Sequence, residues 1–207
     1  MTYRLGLKSW ATGALVLAAV SACGGTTTDS APATSPSAAT APPKATPSTS
    51  PASPSEAAAS HASSAVRRYF STIDRLAQDP SSDTSELNSV TTSSELTAET
   101  RFLEGQHRRG ERQVGTTKVA KLKVQSVNLD NSDPATGKIP TVVIDVCWDV
   151  TGVDVLGKSG KSIVSVNRPN TGWTRYTVAN YHFAADPSDG WRVASGQDLK
   201  QAPCPAS

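Results

Sequence analysis

A run of Ser, Thr, Ala and Pro between residues 24 and 62 limits what this chain of 207 residues can fold into. The run contains no aromatic residue and no large aliphatic residue. Because apolar burial must offset the conformational entropy that folding costs, such a segment is predicted to be a disordered spacer. In polyproline form, at about 3.1 Å per residue, it would reach roughly 120 Å. One folded domain is therefore predicted in residues 63–207.

The first 22 residues have the pattern of a signal peptide. Arg4 and Lys8 are followed by a run from residue 9 to residue 20 that is apolar apart from small hydroxyl residues. A run of this length is typical of the apolar core of a signal peptide, whereas a membrane-spanning helix needs about 20 residues. We therefore assign residues 1–22 to a targeting segment and not to the fold.

The end of this segment reads Val20-Ser21-Ala22-Cys23 and is followed by two glycines. The sequence resembles the bacterial lipobox, in which the Cys thiol is joined to a diacylglyceryl group and the peptide bond before it is cut. The resemblance implies cleavage between Ala22 and Cys23, with acyl chains such as palmitate on Cys23, so that residues 23–62 comprise the lipidated Cys and the spacer. Two acyl chains suffice for stable anchoring where one does not. The expected protein is an extracytoplasmic lipoprotein on the outer face of the cell membrane.

The charge balance narrows the class of partner. The chain has 20 Lys or Arg against 18 Asp or Glu, and loss of Arg4 and Lys8 with the signal peptide leaves the two signs equal. A strongly basic nucleic-acid binder is excluded by this balance. We expect a membrane contact through the lipid and no nucleic acid, with a cell-wall component, a small amphipathic ligand or a surface protein as further partner.

Helices are predicted in the first part of the domain, starting near Ser63. Helical spacing places six residues on one face of the first helix: Val66, Tyr69, Phe70, Ile73, Leu76 and Ala77. Asp79-Pro80 ends that helix, and Asp83 or Ser85 caps a short second helix that runs to Val90. A third, mostly polar helix follows Ser93 or Ser94. Its predicted apolar anchors are Leu96, Phe102 and Leu103.

Strands are predicted from Gly115 onward, where the apolar period changes to two. Ala120, Leu122 and Val124 alternate with polar residues, and the phase slips at Ser126, which predicts a β-bulge. Further strands are predicted over residues 139–156, 163–166, 173–185 and 191–195. Helices followed by an antiparallel meander indicate the α+β class, with N-terminal helices packed on a curved antiparallel sheet.

Four short sequences carry a resemblance to known folds: Cys147-Trp148-Asp149-Val150, Trp173-Thr174-Arg175-Tyr176, Gly190-Trp191-Arg192-Val193 and Pro203-Cys204. Together with the order of elements, they resemble the cystatin-like cone domains of the nuclear-transport-factor-2 and ketosteroid-isomerase type. With the lipobox and the spacer, the whole chain resembles a group of secreted actinobacterial lipoproteins. The resemblance implies a pocket between the helices and the sheet.

Cysteine usage predicts one disulfide. With Cys23 lipidated, Cys147 and Cys204 are the remaining thiols, in a compartment that permits disulfides. A bond between them would close a loop of about 58 residues and contribute on the order of 4 kcal/mol in the chain-entropy account. The alternative is a pair of unbonded thiols. No Cys-x-x-Cys sequence is present, which argues against a redox-active role.

Aromatic residues are the candidates for a ligand pocket, because Trp and Tyr combine a flat apolar surface with a polar group. The candidate pocket residues are Trp148, Trp173, Tyr176, Tyr181, His182 and Trp191. Core packing is the alternative role for each aromatic residue. No histidine spacing indicates a metal site, and no cofactor motif is convincing. The match of residues 152–159 to G-x-x-x-x-G-K-S is followed by a turn and a strand, so we interpret it as a hairpin.

Two functional classes follow, and a structural lipoprotein carried on the spacer is a third alternative. The first is a non-catalytic binding or interaction module at the cell surface. The second is a small pocket enzyme of the isomerase or dehydratase type, which would need an inward-facing acid or base such as His182 with Asp145 or Asp149. The sequence favours the first class because it offers no convergent acid–base set. Arg108, Arg109 and Arg112 form a basic cluster that either contacts anionic lipids or wall polymers or is a solvated helix end.

Overall fold

The computed structural model describes residues 52–204, so the predicted signal peptide, Cys23 and the spacer up to residue 51 lie outside the described residues. The helices are α1 (Pro54–Gln78) and α2 (Ser93–Arg108), with short 3-10 helices at Thr84–Ser89 and Pro134–Thr136. The strands are β1 (Arg112–Val114), β2 (Lys118–Asn128), β3 (Thr141–Asp149), β4 (Asp154–Leu156), β5 (Thr171–Ala179) and β6 (Arg192–Asp198).

The main sheet contains four antiparallel strands in the order β2-β3-β5-β6. The four strands follow one another in the sheet in the order in which they occur in the chain, as in a meander. Strand β4, which lies between β3 and β5 in the sequence, belongs to a different sheet. A separate two-stranded ribbon joins β1 to β4. Mixed helices and antiparallel strands confirm the predicted α+β class. Neither helix has an apolar stretch that would allow it to cross a bilayer.

Helix α1 begins at Pro54, nine residues before the predicted boundary at Ser63, so the predicted spacer is wrong for residues 54–62. Ser53 and Glu56 form a capping box: the Ser53 hydroxyl accepts from the Glu56 N–H at 3.3 Å, and the Glu56 carboxylate accepts from the Ser53 N–H at 2.7 Å. Alanine has the highest helix propensity, and Ala58 and Ala62 are small enough to be buried against the sheet. Absence of large apolar residues therefore did not mean absence of structure.

The substitution Ser53→Ala is expected to lower the free energy of unfolding by about 1 kcal/mol, because it removes the side-chain acceptor of this cap. Urea unfolding of the two proteins measures the difference. Ser63→Ala provides the control: the Ser63 hydroxyl donates to the Ala59 carbonyl inside the helix, where alanine is the better helix former. Equal stability losses in the two variants would contradict the capping account.

The core lies between α1 and one face of the main sheet. Val142, Ile144 and Val146 of β3 are fully buried there, on the face that the alternation predicted. They pack with residues of α1, β5, β6 and the segments that precede α2 and β6, which are Ala58, Ala62, Ala65, Val66, Tyr69, Val90, Tyr176, Val178, Trp191 and Val193. A second cluster at the other end of α1 contains Leu76, Ala77, Leu87 and Leu103. Phe102, predicted to anchor α2, is instead 46% exposed.

Three strand predictions are corrected. Residues 139–156 form β3 and β4 in different sheets and not one long strand. Residues 163–166 form no strand, although Leu156 and Ser162 make an isolated bridge. The strand predicted over 173–185 ends at Ala179, because the Asn180 side chain accepts from the His182 N–H at 2.9 Å and donates to the Asp186 carbonyl at 2.7 Å. These bonds hold residues 181–185 in turns.

Two irregularities in the β2–β3 register decide which β2 residues face the core. The predicted slip near Ser126 is confirmed as a shift between Val124 and Ser126. A second shift between Val119 and Lys121 was not predicted. This second shift places Val119 against the core and leaves Ala120 exposed, contrary to the simple alternation.

Candidate functional site

The six predicted pocket residues do not form one site. Trp191 is a core residue with no exposed surface, and its Nε1 donates to the Pro187 carbonyl at 2.9 Å. Trp173 lies on the outer face of the main sheet, with the Lys123 ammonium 4.9 Å from its ring centroid. Trp148 and Tyr176 lie on the inner face, where Trp148 Nε1 donates to Thr174 Oγ1 at 3.0 Å. Tyr181 and His182 are brought together elsewhere.

The acid–base pair considered for the enzyme alternative, His182 with Asp145 or Asp149, is not assembled. His182 lies in the turns after β5 and is exposed. The Asp145 carboxylate lies on the outer face of the sheet, where it accepts two hydrogen bonds from the Arg175 guanidinium, at 2.6 and 2.9 Å. Asp149 accepts from the Thr151 N–H at 2.8 Å. The alternation along β3 predicted the face of the sheet on which each aspartate lies. It did not predict the turn after β5, which takes His182 out of the sheet.

Tyr181 and His182 line a cleft of about 370 Å³ at the start of α2, which we call the α2 cleft. Its walls are formed mainly by Thr91, Thr92, Leu96, Tyr181, His182 and Arg192. The cleft places an aliphatic and an aromatic side chain beside a guanidinium, an imidazole and hydroxyl groups. Small-molecule sites combine apolar surface with a few fixed polar groups, and in this cleft the polar side chains outnumber the apolar ones.

Hydrogen bonds fix the walls of the α2 cleft. The Arg192 guanidinium donates to the Asn88 and Gly190 carbonyls, both at 3.0 Å. The Tyr181 hydroxyl lies 3.0 Å from the Ser93 hydroxyl, and the Thr92 N–H donates to the Val193 carbonyl at 2.9 Å. These bonds join α2, β6 and the turns after β5, so residues from three parts of the chain share one rigid frame.

The sequence analysis missed a buried group of acidic and phenolic side chains, which we call the interior carboxylate cluster (Tyr69, Glu95 and Glu99). The Tyr69 hydroxyl donates to Glu95 Oε1 at 2.5 Å and lies 3.2 Å from Glu99 Oε1. Glu95 and Glu99 are four residues apart on α2, which places them on the same helix face. That spacing was visible in the sequence, but nothing there showed that Tyr69 of α1 would face them.

Burial changes the protonation of this cluster. Burial, together with the nearby Glu95 carboxylate, raises the pKa of Glu99 from 4.5 to about 7, although the Tyr69 hydrogen bond acts in the opposite direction. Burial also raises the pKa of Glu95, which is lowered in part by hydrogen bonds from Tyr69 and the Gly196 backbone. The pKa values of the Tyr69 and Tyr176 hydroxyls rise well above their usual range for the same reason. Within this cluster, Glu99 is the side chain whose raised pKa lies near neutral pH.

The free energy of unfolding is expected to fall as the pH rises from about 4.5 to about 7, because folded Glu99 keeps a proton that the unfolded chain releases. Glu99→Gln removes this proton and should flatten the slope. The stability of the Gln variant relative to the wild type should rise by about 2–3 kcal/mol between pH 5 and pH 8. Urea unfolding at both pH values measures it. A pH-independent difference would contradict the raised pKa.

A second cleft, of about 380 Å³, lies between α1 and the start of β2. We call it the α1 cleft; its walls include Arg67, Phe70, Asp74, Arg75, Thr117 and Val119. Its acidic residue is committed to structural bonds: the Asp74 carboxylate accepts from the Thr117 N–H at 2.7 Å, the Thr117 hydroxyl at 2.9 Å and the Gln113 amide at 2.6 Å. Arg75 pairs with Glu86.

The predicted disulfide is confirmed: Cys147 of β3 is bonded to Cys204, with the two Cα atoms 6.1 Å apart. The bond holds the C-terminal tail at the end of the main sheet. Two hydrogen bonds support the same position, from the Thr171 hydroxyl to the Cys204 carbonyl and from the Leu199 N–H to the Trp173 carbonyl, each at 2.8 Å. Both cysteines are buried, which makes this a structural bond.

The part of the chain from residue 52 to residue 204 brings together no set of metal-binding side chains. No group of three or more His, Cys, Asp or Glu side chains in this part is arranged to hold a metal ion. The two clefts and the interior carboxylate cluster are therefore the candidate sites that the geometry offers.

Comparisons with known proteins give little guidance about function. No protein-family model and no curated protein matches the sequence. Among solved structures, the chain is similar to the crystal structure of the intermembrane space region of the chloroplast protein ARC6. The two chains are 19% identical and superpose with a TM-score of 0.43, over 67% of this chain and 95% of the other. A similarity this distant does not indicate what the chain binds.

Proposed function

We propose that the chain is an extracytoplasmic lipoprotein, anchored to the outer face of the cell membrane through Cys23, whose folded part binds a small amphipathic ligand without catalysis. The anchor rests on the lipobox-like sequence that ends at Cys23. The binding activity rests on the α2 cleft, where Leu96 and Tyr181 offer apolar surface and Arg192 and His182 offer polar groups. A ligand with an aromatic or aliphatic end and an anionic or hydrogen-bond-accepting end fits this combination.

The polar groups of the α2 cleft favour a ligand-binding role over a catalytic role. Arg192 is held by two backbone carbonyls, so its charge is fixed in place. Neither Asp nor Glu is among the residues that line this cleft, so His182 has no carboxylate beside it there to orient it as a general base. Fixed donors without a paired acid and base are the arrangement expected of a binding site.

The segment Ser48–Ser207 is suitable for the test, because it forms one compact unit. It contains the capped start of α1, the complete core and the disulfide. Native mass spectrometry of this segment, produced in an oxidising compartment, should show a retained small molecule. Tyr181→Ala is expected to abolish the retention, whereas Phe102→Ala, which removes a similarly exposed aromatic ring of α2, should leave it unchanged. An unliganded wild type, or retention in both variants, would contradict binding in this cleft.

One observation favours the second candidate function, a small pocket enzyme of the isomerase or dehydratase type. Glu99, with a pKa of about 7 beside Glu95 and Tyr69, has the protonation behaviour that a general acid or base needs. The same mass-spectrometric experiment separates the two candidates. A retained molecule that is lost in Glu99→Gln and kept in Tyr181→Ala would support the enzyme.

A further inference from the structure

Residues 157–168 form a loop that follows β4 of the β1–β4 ribbon. The start of the loop is fixed to β4, because the Ile163 N–H donates to the Val155 carbonyl at 2.9 Å and the Gly157 N–H donates to the Lys161 carbonyl at 2.9 Å. The other end is fixed by Arg168, whose guanidinium donates to the Val150 and Val153 carbonyls. A loop held at both ends presents its tip in a defined position.

Apolar side chains on this loop and its ribbon are exposed to a degree that folding does not explain. Val166 is 97% exposed, Ile163 is 54% exposed, and Val114 of β1 is 41% exposed. Valine and isoleucine are among the residues most often buried. Ile163 and Val166 lie three positions apart in the same loop, and two exposed apolar side chains in one short loop point to a contact surface.

Basic side chains occur in the same loop and at the end of α2 that the loop contacts. The Lys158 side chain lies beside Gly110, 3.6 Å from where a Cβ would be, and so next to the C-terminal end of α2. Arg108 and Arg112 flank that glycine in the sequence, and Lys161 follows in the loop. Arg109 is paired with Glu111 at 2.7 Å, and Arg108 lies 3.5 Å from Glu104.

The positive charge here is local. Residues 52–204 carry equal numbers of basic and acidic side chains. The loop, the ribbon and the C-terminal end of α2 nevertheless combine six basic residues with three acidic ones. The six basic residues are Arg108, Arg109, Arg112, Lys158, Lys161 and Arg168, and the acidic ones are Glu104, Glu111 and Asp154. An excess of positive charge around exposed apolar side chains complements an anionic lipid surface.

We propose that the folded part docks on an anionic lipid bilayer through a ribbon patch, which consists of Arg108, Arg112, Lys158, Lys161, Ile163 and Val166. The lysines and arginines approach the headgroups, and Val166 enters the boundary between headgroups and acyl chains. A soluble anionic wall polymer would use the charges but would leave Val166 in water. This inference does not depend on the ligand of the α2 cleft or on Cys23. A lipid anchor would add to docking by raising the local concentration of the domain at the bilayer.

Sedimentation of Ser48–Ser207 with lipid vesicles tests the proposal. The segment should bind vesicles of phosphatidylcholine with about 30% phosphatidylglycerol, bind pure phosphatidylcholine much less, and lose affinity as salt is added. Lys158→Gln combined with Lys161→Gln should lower the affinity for anionic vesicles about 25-fold, which corresponds to ~1 kcal/mol for each lysine. Val166→Asp should lower it about ten-fold, through loss of insertion and added repulsion.

Matched variants outside the ribbon patch serve as controls. Lys138→Gln combined with Lys200→Gln removes the same charge from exposed positions elsewhere, and Val124→Asp adds an acid at another exposed valine. Both should retain wild-type affinity, with thermal unfolding used to verify that every variant is folded. Three results would overturn the proposal: no binding of the wild type at low salt, equal losses in patch and control variants, or binding to an isolated wall polymer without binding to vesicles.

Discussion

Replacement of both Cys147 and Cys204 by Ser is expected to lower the free energy of unfolding by about 4 kcal/mol, the largest stability effect that the structure predicts. The bond joins residues separated by 57 positions, so its loss restores much conformational freedom to the unfolded chain. The folded state loses the covalent link between the C-terminal tail and β3. Urea unfolding of the oxidised wild type and the double variant measures the change.

Chemical reduction of the wild type provides the control for this prediction, because it breaks the same bond without changing either residue. The reduced wild type and the double Ser variant should unfold at similar urea concentrations, and amide hydrogen exchange should accelerate at Leu199, whose N–H donates to Trp173. A stability loss under 1 kcal/mol would show that the hydrogen bonds of the tail suffice without the disulfide.

Replacement of Asp74 by Ala is expected to lower the free energy of unfolding by about 3–4 kcal/mol. The Asp74 carboxylate is buried and accepts three hydrogen bonds, two from Thr117 and one from Gln113. Removal of the carboxylate leaves these donors without their acceptor and separates α1 from the start of β2. Thermal or urea unfolding of the variant measures the loss.

Two comparison variants make this prediction specific. Asp74→Asn keeps the shape and one acceptor oxygen, so it should lose less stability than Asp74→Ala. Asp130→Ala removes an exposed aspartate that accepts from the Ser132 N–H, and it should change stability by less than about 1 kcal/mol. If Asp74→Ala proved no worse than Asp130→Ala, the buried carboxylate would not hold α1 to the sheet.

The parts of the fold that could be predicted from the sequence are those where one strong periodicity decides the structure. The apolar face of α1 from Val66 to Ala77 and the alternation along β3 both correspond to the core observed. The disulfide could be predicted because Cys147 and Cys204 were the only pair remaining after Cys23 was assigned to lipidation. In each case, a local sequence pattern or the number of cysteines was enough for the prediction.

The parts that could not be predicted depend on contacts between distant segments. The start of α1 rests on a capping box and on small residues buried by the sheet, so its composition alone resembled that of the spacer. The Asn180 side chain accepts from the His182 N–H and turns the chain before this histidine. His182 therefore does not pair with Asp145, which is bonded to Arg175. The interior carboxylate cluster requires Tyr69 to meet Glu95 across 26 positions in the chain. No local sequence pattern predicts a side-chain contact between positions so far apart in the chain.

The α2 cleft and the ribbon patch are two separate surfaces of the domain. The α2 cleft is formed by the start of α2, β6 and the turns after β5, whereas the ribbon patch is formed by the other end of α2, the ribbon and its loop. Substitutions in one surface are therefore expected to leave the function of the other unchanged. Ligand retention by the Val166→Asp variant and vesicle binding by the Tyr181→Ala variant both test this independence.

The proposed lipid anchor can be tested with the intact mass of the mature protein, recovered from the membrane fraction of the cells that make it. We expect a chain that begins at Cys23 and carries the added mass of a diacylglyceryl group on that residue. In the Cys23→Ser variant, this added mass should be absent. A mature wild-type chain that begins at another residue, or that carries an unmodified Cys23, would contradict the proposed lipid anchor.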